Sequence, residues 1–185
     1  NHAFDEGDLG AAVNLTRQLW ATNPQQTESL VLLVRALIYR SYTDHNRTVD
    51  REVALQLTTD ALKRFPTHPD VMAIHALALQ ANGIPVQAWN LAEAILKRQP
   101  DHTLARVALS LAYGSIGGHE NALQESQLAT TPGQWQIDAL RAQAISLADL
   151  GRYEEAINTQ EIAIGLNNKL LTLHFEQAQY ALQKG

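Results

Sequence analysis

A period of 34 residues runs through this chain. Glycine recurs at that interval, at Gly83, Gly117, Gly151 and Gly185. An alanine follows five residues after glycine in most of these units and also after Gly7, at Ala12, Ala88, Ala122 and Ala156. A fixed period of this length is typical of stacked structural repeats, which decides the architecture before any local pattern is considered.

Each unit reads as a helix, a turn and a second helix. The glycine predicts the end of the first helix, because glycine takes the left-handed backbone conformation at little cost. A small side chain seven residues before the glycine and the alanine five residues after it predict the crossing of two closely packed helices. Proline ends the second helix in the early units, at Pro24, Pro66 and Pro100.

Composition limits what this array can do. Apolar residues make up 45% of the 185 residues and charged residues 18%, which favours a folded chain over a disordered one. The net charge of -5 disfavours a nucleic-acid partner. Cysteine is absent from the sequence, which excludes disulfides and thiol nucleophiles and leaves the cellular compartment undetermined. The longest apolar run is too short for direct membrane insertion.

These marks resemble the tetratricopeptide repeat (TPR) family. The closest unit is 137–168, with its motif Gly-Arg-Tyr-Glu-Glu-Ala-Ile at 151–157. The resemblance implies an all-α, right-handed superhelical solenoid of antiparallel helix pairs. In such a solenoid the first helices line a concave groove, and the second helices form the convex back.

A single array is predicted over 1–185. Its segments are the second helix of a truncated repeat (1–24), four full repeats (25–66, 69–100, 103–134 and 137–168) and a terminal helix (169–185). Eight extra residues in the first full repeat predict an enlarged turn at 41–48, including Tyr42, Asp44, His45 and Arg47. The two ends of the array are predicted to be half units, each with a helix face that lacks a partner helix.

The resemblance also implies which side chains line the groove, at first-helix positions spaced four and then three apart. They are Val31, Arg35, Ile38, Ala73, Leu77, Gln80, Val107, Leu111, Gly114, Arg141, Ile145, Ala148, Phe175 and Gln179. This mainly apolar lining would suit an amphipathic helix or extended peptide, with a carboxylate pairing with Arg35 or Arg141. Alternatively, the apolar members pack between neighbouring first helices and contact no ligand.

No catalytic or metal constellation emerges from the sequence. It contains no nucleophile elbow, no phosphate-binding glycine loop and no pair of histidines at zinc-binding spacing. We therefore expect no enzyme activity, no cofactor and no metal ion.

The predicted function is a protein- or peptide-binding module. Two alternatives stay open: self-association through the repeat ends, which would give a homo-oligomer, and a regulatory arm of a larger enzyme. Arginine outnumbers lysine ten to four, which favours a bacterial source.

Overall fold

A computed structural model describes residues 2–43 and 47–185 of the chain. Within those ranges the regular structure is α-helical, and no helix is long and apolar enough to cross a membrane. The helices in chain order are α1 (His2–Asp5), α2 (Leu9–Thr22), α3 (Thr27–Thr43), α4 (Thr48–Arg64), α5 (Pro69–Ala81), α6 (Pro85–Leu96), α7 (Thr103–Ser115), α8 (His119–Ala129), α9 (Gln136–Asp149), α10 (Tyr153–Leu166) and α11 (Leu171–Lys184).

The periodic glycines end the first helices as predicted. Gly83 has φ of 73°, and Gly7, Gly117 and Gly151 also have positive φ values. At the first of these turns the N–H of Ile84 donates to the carbonyl of Leu79, and the N–H of Gly83 donates to that of Gln80. This pair of bonds is the Schellman motif, which satisfies carbonyls that a helix end leaves free.

The periodic small residues lie at the helix crossings, which confirms the second sequence prediction. The five alanines at the repeat position of the second helices are buried: Ala12, Ala54, Ala88, Ala122 and Ala156. Ser110 is also buried, and its hydroxyl donates to the carbonyl of Ala122 across the crossing of α7 and α8 at 2.7 Å. Because the side chains are this small, the two backbones approach closely enough for that bond.

Successive helices pack against each other along the whole array. Each first helix also packs against the first helix of the next repeat, from α3 through α5 and α7 to α9. Among the described residues the buried apolar side chains form a large cluster, to which α3 contributes the largest share, including Leu30, Leu33 and Leu37. A smaller cluster joins α8 to α11 and includes Leu147 and Tyr180.

The first full repeat differs from the prediction. Residues 41–43 belong to the last turn of α3, and Thr48 begins α4. Both helices have 17 residues, whereas the other first helices α5, α7, α9 and α11 have 13 or 14. The extra residues therefore lengthen this helix pair. The predicted enlarged turn at 41–48 is too long, because residues 41–43 and Thr48 are helical. Asp44 and His45 lie outside the described residues.

The two ends of the array meet. Helix α11 packs against α3 as well as α10, and the hydroxyl of Thr172 donates to the carbonyl of Tyr39 at 3.3 Å. The ammonium of Lys169 pairs with the carboxylate of Glu6 at 2.5 Å. The superhelix thus returns on itself and closes one half of its concave surface.

Candidate functional site

The concave surface is the site that the sequence predicted, and the structure divides it into a closed half and an open half. Apolar members of the predicted lining are buried in the core: Val31, Ile38, Ala73, Leu77, Val107 and Ala148. The prediction that they line an accessible groove is wrong. They pack between neighbouring helices, as the alternative interpretation expected.

Arg35 lies at the centre of the closed half. Its guanidinium donates from both Nε and a terminal nitrogen to Asp138, at 3.1 and 2.5 Å, and thereby joins α3 to α9. The guanidinium carbon is 4.3 Å from the ring centre of Phe4 and 5.0 Å from that of Trp135. Burial opposes the charge, but Asp138 outweighs it, and the pKa of Arg35 is raised. Arg35 therefore stays charged and has a fixed internal partner.

Arg141 has a similar environment one turn along α9. Its Nε is 2.9 Å from both carboxylate oxygens of Glu176 on α11, and a terminal nitrogen is 2.5 Å from one of them. Its guanidinium also lies 5.0 Å from the ring centre of Tyr42. Burial disfavours the charge and Glu176 more than offsets it, so the pKa of Arg141 is raised.

The predicted pairing of a partner's carboxylate with Arg35 or Arg141 is therefore corrected. Both guanidiniums already hold carboxylates of this chain in forked geometry, which is the strongest arrangement available to them. Between them lies the buried Tyr39, whose pKa is raised by burial and by the charge of Asp138. The remaining space in this half is about 10 Å³, too little for a partner's side chain.

The open half is a pocket of about 480 Å³. Six of its lining residues were predicted from the repeat positions, among them Gln80, Leu111, Ile145 and Gln179. The other two are Gly114 and Arg141. Phe175 lies one helical turn before Gln179 on α11, and 61% of its surface is exposed. The accessible part of the predicted groove is thus confined to α5, α7, α9 and α11.

The sequence prediction missed the pair of His119 and Asp149 in this pocket. Nδ1 of His119, at the start of α8, is 3.5 Å from a carboxylate oxygen of Asp149, the last residue of α9. Burial raises the pKa of Asp149, although His119 partly counteracts that effect. An acid in the last helical turn opposes the helix dipole, and this was a sequence signal that could have marked Asp149.

The arrangement of the helices matches that of known solved structures. The structure superposes on a thermophilic TPR protein of Thermus thermophilus with a TM-score of 0.67 at 19% identity, over 98% of this chain and 94% of that chain. The chain has the TPR fold. A TPR protein of Parabacteroides merdae ATCC 43184 superposes with a TM-score of 0.50 at 19% identity, over 98% of this chain and 73% of that one. No family model and no curated protein sequence matches the chain.

Over residues 2–43 and 47–185, no three histidine, aspartate or glutamate side chains converge on one point. His119 and Asp149 form a pair without a third ligand, whereas a zinc site requires three or four.

Proposed function

We propose that this TPR array is a non-enzymatic interaction module that binds a peptide segment of a partner protein in its open half. The observation that carries the proposal is the pocket of about 480 Å³ on the concave surface, formed by side chains of several successive repeats. Its volume lies within the range of roughly 300–1,000 Å³ that is typical of binding pockets.

The chemistry of the lining suits a peptide. Leu111 and Ile145 offer apolar surface, whereas the amides of Gln80 and Gln179 can donate to and accept from a peptide backbone. Solenoids present such extended inner surfaces because each repeat contributes a few side chains to one continuous face.

Gly114 provides a way to block this pocket without harming the fold. It lies within α7 and lines the pocket, and a Cβ atom there would lie 3.4 Å from a carboxylate oxygen of Asp149. Leucine forms helix better than glycine by up to about 1 kcal/mol, so Gly114→Leu should keep the helix while its side chain fills the pocket. We expect a peptide selected from a random displayed library on the wild type to bind this variant at least about tenfold more weakly by calorimetry.

Gly165→Leu is the matched control for this experiment. Gly165 lies in α10, away from the pocket, and a Cβ there meets no atom within 4 Å. The control should bind the same peptide with unchanged affinity. Equal binding by wild type and Gly114→Leu would place the binding surface elsewhere.

Self-association is a second candidate function, favoured by exposed apolar side chains on α2 and α11. Along α11 an apolar stripe at helical spacing is exposed, with Leu171, Phe175 and Leu182 at 68%, 61% and 82% exposure. Leu15 and Leu19 of α2 are also exposed and line an apolar cleft of about 590 Å³ beside α1. Because the two apolar surfaces differ, they would join head to tail.

Light scattering over a range of protein concentrations tests this second candidate. Association through the ends predicts a mass that rises with concentration for the wild type and stays at 20.4 kDa for the Phe175→Lys, Leu182→Lys double variant. Both residues are exposed, so the substitutions should leave the helical circular dichroism unchanged. A constant monomer mass for the wild type would exclude end-to-end association.

A further inference from the structure

We propose that the partner segment presents a lysine or arginine side chain, which pairs with Asp149 in the open pocket. This inference rests on the proposed function and specifies its ligand. It reverses the sign of charge that the sequence suggested for the partner.

The arginine of the pocket already has a carboxylate partner within this chain. Arg141 lines the pocket, but three hydrogen bonds to Glu176 occupy its Nε and one terminal nitrogen, and the pair is neutral overall. The other basic group in the lining is His119, whose Nδ1 already lies 3.5 Å from a carboxylate oxygen of Asp149. A partner carboxylate would meet Asp149 and Glu176 as like charges without a free cation to offset them.

Asp149 is the group that a cation can reach. Its side chain is 40% exposed, and its nearest basic neighbour, Nδ1 of His119, is at 3.5 Å, beyond the usual length of a charged hydrogen bond. Gly114 lies beside it, since an added Cβ would be 3.4 Å from a carboxylate oxygen, and the absence of a side chain there leaves this part of the carboxylate uncovered. The raised pKa of Asp149 agrees with a carboxylate that lacks a strong cationic partner.

The rest of the pocket complements a long basic side chain. Leu111 and Ile145 can pack against the methylene groups of a lysine or arginine, which commonly cover apolar surface while the charged end stays polar. The hydroxyl of Ser115 and the amide oxygen of Gln179 can accept the remaining hydrogen bonds of an ammonium or guanidinium group. The charged group would thus pair with the Asp149 carboxylate and donate to polar acceptors, while its methylene groups pack against apolar side chains.

The experiment uses the displayed random-peptide library and the intact chain. Peptides that bind the wild type but not Gly114→Leu are sequenced, and one of them is synthesised for calorimetry. We expect a lysine or arginine at one shared position. Asp149→Asn should weaken the binding of the synthetic peptide about tenfold, and replacing its basic residue with glutamine should weaken binding to the wild type similarly.

Asp101→Asn provides the matched control, because Asp101 is exposed in the turn between α6 and α7 and does not line the pocket. It should leave the affinity unchanged. If the peptides that depend on the pocket lack a basic residue, or bind Asp149→Asn as tightly as wild type, the pairing of a basic side chain with Asp149 is contradicted. The proposed peptide binding would remain supported in that case. If no peptide depends on the pocket, the proposed function fails and the inference fails with it.

Discussion

Replacing Asp138 with alanine is expected to lower the free energy of unfolding by about 3–5 kcal/mol. Arg35 would then remain buried between α3 and α9 without a carboxylate, and an uncompensated buried charge is strongly destabilising. The neighbouring rings of Phe4 and Trp135 attract the cation but cannot replace the two hydrogen bonds to Asp138. Urea unfolding followed by circular dichroism measures the change.

Two variants show whether the loss belongs to this buried pair. Asp60→Ala removes an exposed ion pair with Lys63 on α4 and should leave the stability nearly unchanged. The double variant Arg35→Met, Asp138→Leu should recover most of the loss, because replacing both partners by apolar groups leaves no unpaired charge. If Asp138→Ala were as mild as Asp60→Ala, the ion pair would not hold α3 against α9.

Gly7→Ala is expected to destabilise the protein more than Gly83→Ala does. Both glycines have nearly the same left-handed backbone, with φ of 74° and 73°, and alanine costs about 1–2 kcal/mol there. At Gly83 nothing lies within 4 Å of an added Cβ, whereas at Gly7 that atom would overlap the carbonyl oxygen of Lys169. The overlap should add about 1–3 kcal/mol by forcing the two ends apart.

Thermal and urea unfolding of the two variants separate these contributions, since Gly83→Ala reports the backbone cost alone. The difference between them therefore measures the contact between the α1–α2 turn and the segment before α11. Equal losses of stability would mean that this contact is absent in solution.

The sequence was sufficient to predict the repeat architecture, because the periodic glycines and alanines have local structural roles. Glycine at 83, 117 and 151 is required by a left-handed helix end, and alanine at 88, 122 and 156 by a close crossing. Each requirement involves only residues within one unit. The 34-residue interval then places the turns without any knowledge of distant contacts.

The closure could not be predicted in this way, because it depends on residues far apart in sequence. Arg35 and Asp138 are separated by 103 residues, and whether they meet depends on the accumulated curvature of the stack. The sequence analysis therefore predicted that Arg35 lines the groove and is available to a partner's carboxylate. The same limit applies to Arg141 and Glu176. The greater length of α3 and α4 has a local reason instead, since the turn in that repeat carries no glycine to mark its place.

The closure bears on the proposed function through the size of the accessible surface. Because α3 meets α9 and α11, little space is left on the inner surface near Tyr39, whereas the pocket of the proposed site lies beside Gly114 and Asp149. The proposed partner is therefore a short basic segment rather than a long helix along the whole groove. The peptides selected on the wild type should therefore share a short motif.

Carbodiimide cross-linking, which joins an amine and a carboxylate only when they touch, tests the closed array. Lys169 and Glu6 are 163 residues apart in sequence and form an ion pair at 2.5 Å. Mass spectrometry of the monomer fraction should detect an amide between them, alongside the local link between Lys63 and Asp60, whose charged atoms are 2.7 Å apart. If the Lys63–Asp60 link formed without the Lys169–Glu6 link, the superhelix would be open in solution.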